Sequence, residues 1–388
     1  MKIEEITLRN FRNYAELRLR PSAGINLFFG LNGSGKTNLL EAIHYCALGK
    51  SHRVASDASV IRAGETFAYC ETAVRTGGVL RNISVQISAV DQNKKTIQID
   101  HKKIRRFSEM MGCLQCVIFS PEDLGLIREG PSLRRRYLDM MISQINQKYF
   151  LSLQQYKAAM EQRNAILKNL RGDSAGAAYM LEDFERLMAR QAAVIVEERK
   201  KIIEMLSDLT CQTYRQISGR ESERFTLGYH SSLKEESSVE TALFEALQRS
   251  REDDIRQGIT TIGPHRDDLT LALNKKNMKL FASQGQVRTA ALSLKLAQMK
   301  TLKSISGEDP VLLLDDVMSE LDKDRRSRLL EEIGSYQTFI TCTDQSDLEE
   351  ITEYRIYQVQ NLEGLGQVTG ENGMEEEKPV ILAEPDFL

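Results

Sequence analysis

Ile25-Asn26-Leu27-Phe28-Phe29 runs directly into Gly30-Leu31-Asn32-Gly33-Ser34-Gly35-Lys36-Thr37, so a largely apolar stretch is closed by a G-x-x-x-x-G-K-[ST] loop. The first five residues read as a buried strand. Leu39, Leu40, Ala42, Ile43 and Ala47 then recur at helical spacing and predict a helix over 36–48. Strand, glycine-rich turn and helix in that order form a phosphate cradle. Gly30, Gly33 and Gly35 let successive backbone N–H groups turn inward on an anion, and the helix N-terminus adds its dipole. Lys36 is the group that reaches the β- and γ-phosphate oxygens, and the Thr37 hydroxyl suits Mg²⁺. All eight positions, Gly30 to Thr37, are therefore candidate contacts to a nucleoside triphosphate.

The remaining composition is that of an ordinary globular protein of 388 residues, 41% hydrophobic and 28% charged, enough for one large domain with an appendage or for two domains. Charges recur through residues 1–20, and the aliphatic run at 311–314 is far shorter than a membrane span, so a cytoplasmic protein is expected. Cysteines at 46, 70, 113, 116, 211 and 342 form no spaced framework, and reduced thiols are expected. Cys113-Leu-Gln-Cys116 has no second pair or histidine cluster to complete a zinc site, and core packing is the preferred reading. A net charge of −3 argues against a protein that coats nucleic acid with its whole surface. Any such contact must be regional, and the candidate patches are Lys102, Lys103, Arg105, Arg106, with Lys94 and Lys95 nearby, and the run Arg134-Arg135-Arg136.

Along the chain, strands are expected at 2–8, 14–20, 24–29, 68–75, 80–90 and 95–100, with Asp91-Gln-Asn93 as a hairpin turn. The apolar 116–119 follows, stopped by Pro121. From 132 to 170 and from 179 to 217 the pattern turns helical, with a break at Gly172-Asp-Ser-Ala-Gly176. Two such helices either pair as a coiled-coil-like antiparallel hairpin, roughly 55 Å long at 1.5 Å per residue, or lie on the core. Beyond them come a strand at 224–229, a helix at 239–248, the loop Gly263-Pro-His-Arg-Asp-Asp268, and a hairpin of 269–273 with 278–282 turning on 274–277. Further strands are expected at 337–342 and, near a sheet edge, at 355–360. The organisation is thus 1–131 as the first half of a head, 132–217 as an inserted helical hairpin, 218–370 as the second half, and 371–388 as an acidic, disordered tail.

A second part of a P-loop site is visible in Pro310-Val-Leu-Leu-Leu314-Asp315-Asp316. Asp315 closes an apolar strand and is placed to hold Mg²⁺; Asp316 can orient or deprotonate an attacking water. Two carboxylates at a strand end cost several kcal/mol if buried without a cation, which favours a metal there. Ser283-Gln-Gly285-Gln286 heads a helix and resembles the signature motif of ABC-type ATPases, and Ser319-Glu-Leu-Asp322 resembles their D-loop. That resemblance implies ATP, with Ser283, Gly285, Gln286 and Asp322 as nucleotide-site residues, and implies that Ser283 and Gly285 meet the nucleotide held by another copy of the chain.

Leu8-Arg9-Asn10-Phe11-Arg12-Asn13-Tyr14, the form of the P-loop and the helical insert resemble SMC/Rad50 heads. Gly49-Lys50-Ser51-His52-Arg53, Phe119-Ser-Pro-Glu-Asp123, Arg134-Arg-Arg136-Tyr-Leu-Asp139 and Gly263-Pro-His-Arg-Asp-Asp268 further resemble the RecF family, bacterial recombination-mediator ATPases, from residue 1 to about 368. The fold implied is an α/β P-loop ABC-type ATPase head with an antiparallel β lobe and an inserted helical hairpin arm. The function implied is an ATP-driven homodimeric clamp on DNA in recombinational repair and replication. Such a protein recognises gapped or single-stranded DNA and junctions, and with RecR helps load RecA. Competing classes are the ATPase subunit of a membrane transporter and a nuclease-coupled ATPase. Arg53 is a candidate contact to the adenine or the phosphates. Two departures from the wider superfamily stand out: Asp316 replaces the usual catalytic Glu, implying slow, switch-like hydrolysis, and the switch histidine is missing, leaving Thr343 or Asp344 to sense the γ-phosphate. The Q-loop residue is unassigned, with Ser120 and Glu122 in its region. His265 and Arg266 either brace their loop or touch DNA.

Overall fold

The computed structural model describes residues 1–54, 56–90, 94–170, 177–233, 238–343, 354–362 and 365–371. The turns expected at Asp91–Asn93 and Gly172–Gly176, the switch candidate Asp344 and the acidic tail beyond Glu371 lie outside the described residues. Two compact units are present: Met1–Pro121 with the chain from Glu308 onward, and Glu122–Gly307.

The first unit begins with β1 (Lys2–Phe11), β2 (Tyr14–Leu19), β3 (Ile25–Phe29) and α1 (Lys36–Leu48), followed by β4 (Phe67–Thr76), β5 (Val79–Ser88), β6 (Lys94–Ile99), β7 (Lys102–Lys103) and β8 (Cys116–Phe119). Six of these strands form an antiparallel sheet in the order β2-β1-β4-β5-β6-β7. Its hairpins are tight. Thr76 pairs with Val79 across Gly77 and Gly78, whose φ values of 55° and 78° are those of a type I′ turn that glycine enters without strain.

The second unit opens with α2 (Gly125–Arg128), α3 (Pro131–Ser143), α4 (Gln147–Asn169) and α5 (Ala177–Ser218). The single helix expected over 132–170 is broken, because Asn146 leaves helical geometry and its side chain accepts from Tyr149 N at 2.9 Å, starting α4 afresh. α4 and α5 pack against each other, and α5 also packs on β9 (Phe225–His230), α6 (Val239–Arg249) and α9 (Gln284–Ser306), so the pair lies on neighbouring elements of its own unit. Between these lie α7 (Arg251–Gln257), β10 (Asp268–Leu273), β11 (Lys276–Asn277) and α8 (Met278–Phe281). The strand expected at 278–282 is therefore a helical turn. Asn274 and Lys275, at φ 49° and 65°, close the hairpin after two residues, and Asn277 Oδ1 then accepts from Lys279 N at 2.9 Å to cap α8.

The chain returns to the first unit with β12 (Val311–Asp315), α10 (Lys323–Ile333), β13 (Thr338–Cys342), β14 (Tyr354–Leu362) and β15 (Leu365–Glu371). With β3 and β8 they form a sheet ordered β15-β14-β3-β13-β12-β8, parallel except for β15. β12 and β13 are buried at every position, as expected of strands covered on both faces. Phe28 stacks on Phe339 and Tyr357 at centroid distances of 6.1 and 4.9 Å, so one aromatic layer spans three neighbouring strands. β15, which the sequence did not announce, covers β14 and takes the edge position.

Inside the second unit the helices are pinned by a fully buried cation. Arg163 of α4 donates to Asp254 Oδ2 at 2.7 Å, Thr260 Oγ1 at 2.9 Å and Glu185 Oε1 at 3.1 Å, and Arg251 also bonds Glu185. Asp254 is further bonded by Ser250 and Thr261. Removing one member of such a cluster strands the other charges in a dry interior. Arg163→Met is expected to destabilise the chain by about 3–5 kcal/mol, read from the denaturant midpoint of the full-length protein.

Candidate nucleotide site

The loop between β3 and α1 is shaped by what surrounds its glycines. A Cβ at Gly30 would lie 2.1 Å from the Val359 carbonyl oxygen, so only glycine fits beside β14. Gly33 and Gly35 have φ of 80° and 115°, and a Cβ at Gly35 would meet the Asn13 amide at 2.5 Å. That amide supports the loop from behind. Asn13 Nδ2 donates to Ser34 O at 2.9 Å, Tyr14 Oη donates to Gly35 O at 3.0 Å, and Asn38 Nδ2 reaches Asn13 Oδ1 at 2.9 Å.

Lys36 folds back over its own loop, its Nζ donating to Gly30 O at 2.6 Å and Leu31 O at 3.0 Å. Burial lowers its pKa, an effect opposed by the neighbouring Asp316, Cys342 and Asp315. The Ser34 hydroxyl is buried and without a hydrogen-bond partner, an arrangement that costs about 1–3 kcal/mol until an acceptor arrives. Leu31, 83% exposed, and Asn32 and Gly33 stand on the outer side of the loop.

The parallel register brings the carboxylates to this loop. Asp315, the last residue of β12, lies opposite Thr341 of β13, which in turn runs beside β3. Thr37 Oγ1 donates to Asp315 Oδ1 at 2.8 Å, and Thr341 Oγ1 donates to the same oxygen at 2.8 Å. Thr341 Oγ1 also accepts from Asp316 N at 2.9 Å. Asp316 itself sits at φ 53°, the left-handed region that a non-glycine residue enters at a cost, and Ser319 Oγ secures its carbonyl at 3.0 Å. One buried threonine hydroxyl thus joins both carboxylate residues. Thr341 and Asn13 are site residues that motif reading passes over. The signal for Thr341 is a hydroxyl in a fully buried strand, one it shares with Thr338.

A buried charge lies behind α1. Glu41 receives Arg12 at 2.7 and 2.9 Å and Ser51 Oγ at 2.5 Å, and these partners hold its carboxyl below the usual range against the opposing effect of burial. Ser51 Oγ in turn accepts from Arg53 N at 3.0 Å, while Arg53 Nη1 donates to Asn38 Oδ1 at 3.2 Å. Arg53 is thereby fixed beside the first turn of α1. Asp322 caps α10, accepting from Arg325 N at 3.0 Å and pairing with the Arg325 guanidinium at 2.8 Å.

In the second unit Ser283 caps α9. Its hydroxyl accepts from Gln286 N at 3.3 Å, and Gln286 Oε1 accepts from Ser283 N at 2.9 Å, a reciprocal capping box. Gln286 Nε2 donates to Glu223, which also accepts from Tyr214 at the end of α5. Gln286 is occupied in shaping the helix start, Ser283 is exposed, and Gly285 is half-buried on the first turn.

The Gly263–Asp268 loop is braced on every side. Arg199 donates to Pro264 O at 2.8 Å, Arg135 to Asp267 O at 2.7 Å, and Arg134 holds Asp268 at 2.7 and 2.8 Å. His265 Nε2 donates to Thr260 O at 3.1 Å, so its Nδ1 is the lone-pair nitrogen that accepts from Tyr156 Oη at 2.6 Å. The braces are internal. Arg134 and Arg135 of the basic run serve this loop and leave Arg136 exposed.

Residues 2–364 match the model of the RecF/RecN/SMC N-terminal domain. The chain is 40% identical over 353 residues to the DNA replication and repair protein RecF of Ruminiclostridium cellulolyticum, covering 89% of this chain and 93% of the relative. The chain belongs to the RecF family. The RecF of Clostridium perfringens is 38% identical, with 91% and 95% covered. A solved structure of the recombination mediator protein RecF with ATP in the RecFOR pathway superposes with a TM-score of 0.84 at 35% identity, covering 95% of this chain and 99% of that one. The Smc head domain of Pyrococcus furiosus, at 17% identity and a TM-score of 0.56, shares the fold of this RecF-family chain, an ABC-type ATPase head. No described helix is long and apolar enough to cross a membrane.

Two measurements check this arrangement. Thr341→Val leaves the Asp316 N–H and one Asp315 oxygen short of a partner and is expected to cost about 1–3 kcal/mol in chemical denaturation, with Thr341→Ser restoring most of it. Burial pushes the His265 pKa down to about 4. The folded state then binds fewer protons than the unfolded one, whose histidine titrates near 6.5. The stability His265 contributes is complete above about pH 6.5 and is lost as pH falls toward 4. The melting temperature of His265→Gln should therefore fall less between pH 7 and pH 5 than that of the parent.

Proposed function

We propose that this chain is an ATP-gated DNA clamp of recombinational repair and replication: two copies close on ATP·Mg²⁺, hold DNA, and reopen on slow hydrolysis. The observation that carries the reading is the convergence of Gly30–Thr37 with Asp315 and Asp316, two sequence-distant segments joined through the Thr37–Asp315 hydrogen bond. The residues fit the ligand. The partnerless buried Ser34 hydroxyl and the Lys36 ammonium, now satisfied only by loop carbonyls, are groups that phosphate oxygens would engage. Thr37 and Asp315 supply the one or two protein oxygens that Mg²⁺ ordinarily takes alongside phosphate oxygens and water. Bound there, Mg²⁺ would neutralise charge developing on the β- and γ-phosphates.

Asp316, held by Thr341 and Ser319, is the group that orients or deprotonates the attacking water. Arg53, beside α1, is offered to the phosphates or the adenine. Ser283 and Gly285, at the start of α9, are assigned by family resemblance to the nucleotide of the second copy, and Gln286 and Asp322 to the nucleotide site. The exposure of Leu280 and Phe281, 72% and 68%, beside Ser283 supports a self-association surface at that place. The ATP-bound relative in the RecFOR pathway supports RecR as a partner; RecA loading downstream and a cytoplasmic location belong to the same family reading. The DNA expected is gapped or single-stranded, or a junction.

The test is sedimentation of the purified chain with and without ATP·Mg²⁺, alongside DNA binding in both states. A dimer is expected with ATP, with tighter DNA binding. Lys36→Ala should weaken nucleotide binding about 10- to 100-fold through loss of charge-assisted hydrogen bonds, and Asp316→Asn should accumulate the dimer. Equal dimer fractions in the two conditions would sink the mechanism.

A further inference from the structure

Residues 94–109 hold six lysines and arginines against two carboxylates, in a chain whose net charge is −3. Lys95 is accounted for, since its ammonium bonds Gly49 O at 2.8 Å and Asp57 at 2.7 Å. Lys94, Lys102, Lys103, Arg105 and Arg106 are exposed, as is Arg81 on the neighbouring strand, and among the described residues no carboxylate pairs with any of them. The two local acids are engaged by backbone: Asp100 accepts from Asn82 N at 3.0 Å, and Glu109 from the N–H groups of Arg105 and Arg106 at 3.2 and 2.8 Å.

Strand pairing turns this run into a rim. β7 closes the antiparallel sheet, Lys102 opposite Ile99 and Lys103 opposite Gln98, and Ile104 N donates to Ile97 O at 3.1 Å, so the chain continues alongside β6. Side chains alternate between faces, so Lys102 and Lys103 charge both sides of the sheet edge. β7 itself is Lys102–Lys103, and Arg105 and Arg106 follow it within three residues, so four exposed cations lie close together along this stretch.

The opposite edge of the same sheet is the internal contrast. Arg18 and Arg20 both bond Glu5, at 2.9 and 3.0 Å, and Arg9 lies 3.7 Å from Glu16. Charges guard both edges against stray strand pairing. Of the two edges, the β7 edge does so with a row of cations that no carboxylate pairs with among the described residues. The other basic run, Arg134–Arg136, is largely spent on Asp267 and Asp268.

We propose that the β6–β7 rim, through Lys102, Lys103, Arg105 and Arg106 with Lys94 and Arg81 flanking, is the surface that takes the phosphodiester backbone of DNA, without reading bases. The proposal rests on the DNA-clamp reading and names where that DNA lies. Its test is fluorescence anisotropy with a labelled gapped duplex, in ATP·Mg²⁺, across salt from about 50 to 300 mM. The parent chain is compared with the combined variant Lys102→Ala, Lys103→Ala, Arg105→Ala and Arg106→Ala, and with Arg18→Ala, Arg20→Ala on the opposite edge. The slope of log affinity against log salt should shrink by about 3–4 in the fourfold variant, with affinity at about 0.1 M salt falling at least tenfold. The opposite-edge variant should retain the parent slope. Sedimentation should show the fourfold variant still dimerising with ATP. A fourfold variant that keeps the parent slope and affinity overturns the rim alone; a parent chain that binds no DNA in either nucleotide state overturns the clamp reading and the rim with it.

Discussion

A single carboxylate oxygen ties the candidate site together. Asp315 Oδ1 accepts from Thr37 at the start of α1 and from Thr341 in β13, so a helix and two strands far apart in sequence share one acceptor. The carboxylate is buried, and two donors make that burial tolerable. The register of β3, β13 and β12 is what allows it: a one-residue slip in any parallel pairing would turn Asp315 or Thr341 to the other face of the sheet. Thr341 then extends the same hydrogen-bond chain to Asp316, whose left-handed backbone points the second carboxylate residue away from the strand direction. Strain at Asp316 is sustained because the surrounding strands are buried at every position.

The second unit solves a different problem, holding long helices and a polar loop in place without an extensive sheet. It does so with buried arginines. Arg163 and Arg199 are among the largest fully or nearly fully buried side chains, and each gathers carboxylates and carbonyls from several elements. Such clusters contribute little net stability relative to apolar packing, and their directional hydrogen bonds restrict which arrangement of helices is acceptable. The Gly263–Asp268 loop belongs to this framework. His265, neutral and doubly hydrogen-bonded, braces the turn, so of the two roles open to it the geometry supports the internal one.

Motif and periodicity made most of the elements legible. The alternation along 68–75 and the continuous apolar runs at 116–119 and 311–314 gave strands close to those observed, because burial on one face or two leaves different patterns. Breaks were harder. The restart at Asn146 and the helical turn at 278–281 depend on one side chain capping one backbone N–H, a local choice that competes evenly with continuation of the neighbouring pattern. β15 went unseen because an edge strand needs only a partner with free backbone groups, and β14 supplies it.

By itself, the sequence determined that a glycine-rich loop follows a buried strand, that a second buried strand ends in two acids, and that a serine heads a helix, since each depends on chemistry within a few residues. Tertiary structure alone decided which charges are spent and which are available. The adjacent arginines at 134 and 135 are consumed by a loop more than a hundred residues away, while Lys102 and Lys103 emerge on a sheet edge where, among the described residues, no carboxylate meets them. It also decided that a threonine inside β13 would join the two acids. Charge and hydroxyl are local properties, but whether they are satisfied depends on partners that only the folded chain brings within hydrogen-bonding distance.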